Sequence, residues 1–162
     1  MKLTSAAIGT ALFTLLVPAV LGGAVPTFIA PVSDRAPDWA VSAGWLLTLL
    51  GTLGYLWCAL DFVRYGLGTP APVAAPELLV VRGLYRYSRN PMYVSVLLVV
   101  TGQAALRWSS GVLIYAAVFF VVVNLFILAY EEPTLTRRFG EAYLHYRRRV
   151  PRWIGPARPA GR

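Results

Sequence analysis

The chain has 162 residues, 57% of them hydrophobic and 14% charged, with a formal net charge of +8. That is too apolar for an ordinary soluble domain and points to an integral membrane protein. A basic soluble chain would suggest nucleic acid, but these arginines flank apolar runs, so lipid headgroups and membrane orientation account for them and no nucleic acid is expected. One cysteine, Cys58, excludes an intrachain disulfide, and one histidine, His145, excludes a histidine-rich metal site, so no metal is expected.

Residues 3–24 are apolar apart from small hydroxyl residues, which is long enough for a first transmembrane helix. Met1-Lys2 ahead of this run resembles a signal peptide, but the run is long for one, and an uncleaved span is expected. Residues 25–38 hold three prolines, two aspartates and Arg35, and read as a short external loop. A second span is expected from Trp39 to Val63, where Gly44, Gly51 and Gly54 permit close helix contact. Asp61 near its end is expected at the membrane interface beside Arg64. Residues 64–80, with Gly66, Gly68, Pro70, Pro72 and Pro76, read as a loop.

The most informative stretch runs from Val81 to Tyr93. Arg82, Arg86 and Arg89 alternate with Tyr85, Tyr87 and Tyr93. Guanidinium groups bind carboxylates and phosphates in bidentate fashion and stack on aromatic rings. Asn90-Pro91 reads as an N-cap followed by proline at the first helical position. Cations thus meet the positive end of a helix, a place that can hold an anionic group. A positive-inside anchor with interfacial tyrosines would share these features.

A third span follows from Asn90 to Leu106, then a tight turn at Arg107-Trp108-Ser109-Ser110, then a fourth span from Gly111 to Tyr130. Spans three and four form an antiparallel hairpin, with Gln103 and Asn124 as polar groups inside it that are expected to hydrogen-bond between helices. Past Glu131-Glu132-Pro133 a helix is expected over residues 133–149. Leu135, Phe139, Tyr143, Tyr146 and Val150 recur at three- or four-residue steps and give it one apolar face. Its arginines suit a headgroup surface. The tail after Pro151 reads as loosely ordered.

The fold expected is therefore all-α: a transmembrane four-helix bundle with a C-terminal cytosolic amphipathic helix. It forms one domain, with an N-terminal transmembrane pair over 1–80, a core over 81–154 and a tail over 155–162. Lys2, the arginines from Arg64 to Arg89 and those from Arg137 onward fall on one side, against Arg35 and Arg107 on the other. The positive-inside rule then places both termini in the cytosol, for a multi-pass protein of a bacterial inner membrane. The hairpin brings Tyr85 to Tyr93, Glu131-Glu132 and the C-terminal helix to one membrane face. Arginines on one side and paired carboxylates on the other can hold a zwitterionic ligand. The two glutamates would equally suit the first turn of the following helix.

Gly83-Leu84-Tyr85-Arg86-Tyr87 with Arg89-Asn90-Pro91-Met92-Tyr93 resembles the signature GxYRYxRHPxY. Glu131-Glu132 followed by Leu135, Phe139-Gly140, Tyr143, Tyr146 and Val150-Pro151 resembles a second signature, EE…L…FG…Y…Y…VP. The pair, over about residues 80–154, resembles the isoprenylcysteine carboxyl methyltransferase and phospholipid methyltransferase superfamily of membrane enzymes. The resemblance implies S-adenosylmethionine as methyl donor and in-line transfer to a lipophilic or membrane-embedded acceptor: a carboxylate, thiol or amine. It implies a cofactor pocket lined by Gly83, Tyr85, Arg89, Asn90, Pro91 and Tyr93, with Glu131 and Glu132 holding the donor and Tyr143 and Tyr146 closing it. Arg89, Glu131 and Glu132 would be the catalytic residues, Arg86 or Arg89 orienting an anionic acceptor and either glutamate serving as base for an amine. Proximity and water exclusion would supply most of the rate.

Two departures matter. Asn90 stands where the family has histidine, and it cannot titrate. Leu128-Ala129-Tyr130 stands where isoprenylcysteine enzymes carry an arginine, which weighs against a prenylcysteine carboxylate as acceptor. The competing readings are a membrane reductase of the same architecture and a non-catalytic four-span protein that binds lipid or a partner through its basic helix. The bilayer is the expected partner, and the glycines of the second span leave dimerisation open.

Overall fold

A computed structural model describes residues 16, 18–61, 64 and 79–155. Among them there is no strand. A π-helical segment, Pro18–Ala24, runs into α1 (Val25–Ile29). After a short turn come α2 (Asp38–Asp61), a 3-10 turn at Gly83–Arg86 and α3 (Pro91–Leu106). Beyond these lie α4 (Ser110–Phe126), a π-helical turn Ile127–Glu131, α5 (Glu132–Phe139) and α6 (Glu141–Arg149). Most of the expected first span and of the 64–80 loop lies outside the described residues.

Among the described residues two helices are long and apolar enough to cross a membrane: Asp38–Asp61 and the continuous run Ser110–Phe139. At about 1.5 Å per residue, α2 reaches about 36 Å, more than the roughly 30 Å of a hydrocarbon core. Ala19–Ile29 and α3 are apolar but shorter. The outward faces of α2 and α4 carry exposed leucines, valines and tryptophans, Trp45, Leu49, Leu53, Val118 and Val122 among them.

The core lies where α3 is sandwiched between α2 and α4. Val96 and Val100 of α3 and Val112 of α4 are almost wholly buried, with Tyr55 and Cys58 of α2 beside them. The α2 and α3 backbones approach closely because both lack side chains at the crossing. A Cβ at Gly102 would lie 2.5 Å from Thr48 Oγ1 and 2.7 Å from the Gly44 carbonyl. This is the small-residue contact expected of membrane helices, and the α2 glycines spend it on α3 of their own chain.

The turn from α3 to α4 falls where expected, with Ser109 Oγ accepting from the Val112 N–H at the start of α4. Two other expectations are corrected, and one is met across a different pair of helices. Residues 25–29 are helical, because Pro26 falls at the helix start, where its missing N–H costs nothing. Gln103 bonds between helices as expected, but to Thr48 of α2 at 3.4 Å, and its Oε1 also accepts from Arg107 of the α3–α4 turn at 2.9 Å. Arg107 is buried and ties α1 down, donating to the Pro26 carbonyl at 3.2 Å and to Thr27 Oγ1 at 2.7 Å.

The C-terminal helix also differs from its expected form. It breaks at Gly140, whose φ of +53° belongs to the left-handed region. The apolar spacing survives the break: Tyr143, Tyr146 and Val150 pack with Leu135, Phe139 and Leu79 in a second small core.

Candidate active site

Gly83 starts the site. Its φ is +55°, and the Asp61 carboxylate fills the space a Cβ would need. Both facts require glycine. They also bury Asp61, which is 6% exposed rather than interfacial. The turn Gly83–Arg86 then buries Tyr85 and leaves Arg86 and Tyr87 exposed. Of the three arginines in this stretch, Arg89 is the one drawn inward, with a side chain 10% exposed.

Pro91 opens α3 with Asn90 at the N-cap position, as the pattern predicts. The Asn90 side chain does not cap the helix. Its Nδ2 donates to the Arg152 carbonyl at 3.0 Å. Ser88 supports the same corner, its Oγ accepting from the Asn90 N–H at 3.0 Å and donating to the Arg152 carbonyl at 3.3 Å. The Arg89 N–H donates to the Pro151 carbonyl at 2.9 Å, and the Gly155 N–H to Tyr87 at 3.3 Å. Residues 151–155 therefore strap across residues 87–90, where the sequence suggested a loose tail.

The second half of the site begins with an irregular turn. Pro133 has no N–H to extend the helical ladder, and Ile127–Glu131 widens so that the Glu132 N–H reaches the Ile127 carbonyl, five residues back. One inserted residue rotates the C-terminal part of the helix by about 100° about its axis, and π-turns of this kind recur at functional sites.

The two halves meet at Glu132. Arg89 Nη1 donates to Glu132 Oε1 at 2.8 Å and to the Tyr143 hydroxyl at 3.4 Å. Arg152 Nε donates to the same carboxylate oxygen at 2.8 Å. Arg147 Nη1 stands 3.8 Å from Oε2. Beside this cluster the Tyr93 hydroxyl donates to Glu131 Oε2 at 3.2 Å. The Tyr146 hydroxyl donates to the Tyr85 carbonyl at 2.7 Å and so locks α6 onto the 83–86 turn. Burial pushes the Tyr85, Tyr143 and Tyr146 hydroxyls above the ordinary tyrosine range, so they remain neutral donors.

Arg89, Glu132 and Tyr143 are thus in direct contact, Tyr93 joins Glu131, and Tyr146 joins Tyr85. Asn90 belongs to the supporting corner. Gly83 faces Asp61, and Pro91 lines an apolar groove between α2 and α3. Arg152 and Ser88 were missed by sequence reasoning. The Val150-Pro151 pair flags this corner, but nothing in the sequence ties Arg152 to a glutamate twenty residues away.

Chemically, three guanidinium groups converge on one carboxylate, an excess of positive charge. Arg89 Nε is buried and has no hydrogen-bond partner. A buried donor of this kind is costly unless a ligand oxygen serves it. The cluster therefore fits a small ligand with an anionic end.

A sequence profile of the phospholipid methyltransferase family matches residues 39–142, from the start of α2 into α6. An uncharacterized protein of Haemophilus influenzae is 33% identical over 63 residues, which is 39% of this chain and the whole of that protein. No solved structure matches the chain.

Proposed function

The chain belongs to the phospholipid methyltransferase family, and from that premise we propose that it is an S-adenosylmethionine-dependent methyltransferase acting on a lipophilic or membrane-embedded acceptor. The observation that carries the reading is the 2.8 Å pair between Arg89 and Glu132. It joins two sequence signatures 43 residues apart in one partly buried cluster.

The residues present suit the methyl donor. Arg89, with its unserved Nε, and Arg152 would hold the carboxylate of the donor's amino-acid end. Glu131 would accept from its hydroxyl or ammonium groups, with the Tyr93 hydroxyl fixing the carboxylate's orientation. Tyr143 and Tyr146 wall the site from the α6 side and exclude water. When bound, the donor supplies an activated methyl group on a sulfonium sulfur, so the protein's own task is to orient the acceptor and keep the site dry. For an amine acceptor, Glu131 is the base to which the proton would go, because Glu132 is already engaged by Arg89 and Arg152.

The membrane arrangement completes the proposal. In this proposal the chain crosses the membrane four times, with both termini and the Arg89–Glu132 cluster at the cytosolic face; the positive-inside bias supports that orientation. The acceptor enters sideways from the bilayer.

The test is donor binding by the purified protein in detergent. Wild type is expected to bind S-adenosylmethionine and not a reduced nicotinamide dinucleotide. Glu131→Ala with Glu132→Ala is expected to lose at least about tenfold in affinity. Unchanged affinity in the double variant would remove the carboxylates from the pocket.

A further inference from the structure

A second feature lies outside the Arg89–Glu132 cluster. The groove between α2 and the start of α3 has a volume of about 790 Å³, within the roughly 300–1,000 Å³ range of small-molecule sites. Leu53, Leu60, Leu84, Val94 and Leu98 line it. It opens beside exposed leucines of α2, so an occupant arrives from the apolar surroundings of the helices rather than from water. Its lining includes none of Arg89, Tyr93, Glu131, Glu132, Tyr143 or Tyr146.

One charged side chain breaks the apolar lining from within. Asp61 stands at the end of the groove formed by the C-terminus of α2, is 6% exposed, and its Oδ2 has no hydrogen-bond partner. A buried carboxylate oxygen without a donor is costly. Gly83 is compatible with this carboxylate position, and any larger residue there would displace it. Arg64, at the exposed rim, also lines the groove.

We propose that this groove binds a membrane amphiphile whose head group is a hydrogen-bond donor, with the head at Asp61 and the chain along Leu60, Leu53 and Leu98. An ammonium or hydroxyl head supplies what Oδ2 lacks; an anionic head at the same place would face the buried Asp61 carboxylate, and the Arg64 cation that could attract it sits solvated at the exposed rim. If the amphiphile is the methyl acceptor, the inference rests on the methyltransferase reading and selects amines or alcohols over carboxylates. As a binding site it stands apart from that reading.

The test uses the full chain in phosphatidylcholine nanodiscs and three probes with one chain and different heads: dodecylamine, dodecanol and dodecanoate. Binding is measured above an empty-nanodisc background, and S-adenosylmethionine affinity is measured on the same samples. Dodecylamine is expected to bind saturably and about tenfold more tightly than dodecanoate, with dodecanol between them. Asp61→Asn is expected to bring dodecylamine and dodecanoate to within about threefold of each other. Leu53→Trp, at an exposed position on α2, is expected to weaken all three probes alike. Dodecanoate binding as tightly as dodecylamine, or an unchanged ratio in Asp61→Asn, overturns the proposal. Should Asp61→Asn not fold, Leu53→Trp decides: lost dodecylamine binding supports the groove, and retained binding overturns it. An intact amine preference without S-adenosylmethionine binding would sink the methyltransferase reading and leave the groove standing.

Discussion

Glu132 is the residue whose loss should be felt most in the folded chain. It is 7% exposed, and its partners differ sharply in burial. The side chain of Arg89 is 10% exposed, that of Arg152 28% and that of Arg147 48%. Glu132→Gln leaves the Arg89 guanidinium buried without a counter-charge, and removing one partner of a buried pair costs about 3 kcal/mol at the lower end of the usual range. Arg152→Ala removes a half-solvated partner and should cost about 1 kcal/mol. Arg147→Ala removes an exposed cation 3.8 Å away and should cost under about 0.5 kcal/mol. Replacing Arg89 and Glu132 together by glutamine should cost less than the sum of the single changes, because the most deeply buried charge goes with its partner and the cations left behind, Arg152 and Arg147, reach solvent. The assay is reversible urea unfolding of the detergent-solubilised protein, followed by far-ultraviolet circular dichroism. Equal costs for Glu132→Gln and Arg147→Ala, or strict additivity of Arg89→Gln and Glu132→Gln, would refute the ranking by burial.

Gly140→Ala should destabilise by about 1–2 kcal/mol through its left-handed φ, since nothing crowds a Cβ there. Gly23→Ala, with open space and no such φ, is the matched control and should be close to neutral in the same unfolding assay. Gly102→Ala places a Cβ 2.5 Å from Thr48 Oγ1 and 2.7 Å from the Gly44 carbonyl. Forcing α2 from α3 should cost about 1–3 kcal/mol and lower the apparent melting temperature. Tyr146 keeps its proton to higher pH folded than unfolded, because burial raises its pKa. Its contribution is therefore intact below about pH 10, the unfolded tyrosine value, and is lost as pH rises above it. Tyr146→Phe should cost about 1 kcal/mol at pH 8 by deleting the bond to the Tyr85 carbonyl, and should flatten the fall in melting temperature between pH 9 and 11; an identical fall in both proteins would exclude Tyr146 from it.

Residue pattern alone specified α2, α3 and α4 closely, because apolar runs bounded by Asp38, Pro91 and Ser109 leave few other choices. The meeting of Arg89 with the paired glutamates was legible for the same reason: a tight turn at Arg107 to Ser109 between two apolar helices returns the chain to its starting face. Local exceptions escaped. Pro26 looked like a loop residue, although proline is at home in a first helical turn. Gly140 sat inside an apolar spacing that ran through it, and the spacing hid the break. The π-turn before Glu132 leaves no trace in a uniformly apolar stretch, since every register there looks alike. Arg152 needed a partner twenty residues away that no periodicity marks.

Apart from Pro26, these escapes share a cause, and they fall at or beside the site rather than in the long helices that carry it. Periodic burial specifies long elements, and it does so redundantly, so one misread residue changes little. The Arg89–Glu132–Arg152 cluster depends on single events instead. The π-turn rotates the glutamates relative to α4, Asn90 gives up its cap to hold the Arg152 carbonyl, and residues 151–155 fold back over residues 87–90. Each is locally unfavourable or neutral, and each is offset only when the others are in place. Asn90→Ala tests this interdependence. The N-cap role it would normally serve is unused, so a purely local account predicts almost no cost. If the side chain instead holds the strap, Asn90→Ala should raise protease sensitivity after Arg152 and weaken donor binding together with Arg152→Ala, non-additively. A variant that behaves as wild type in both assays would mean that the strap is held by Ser88 and the backbone alone.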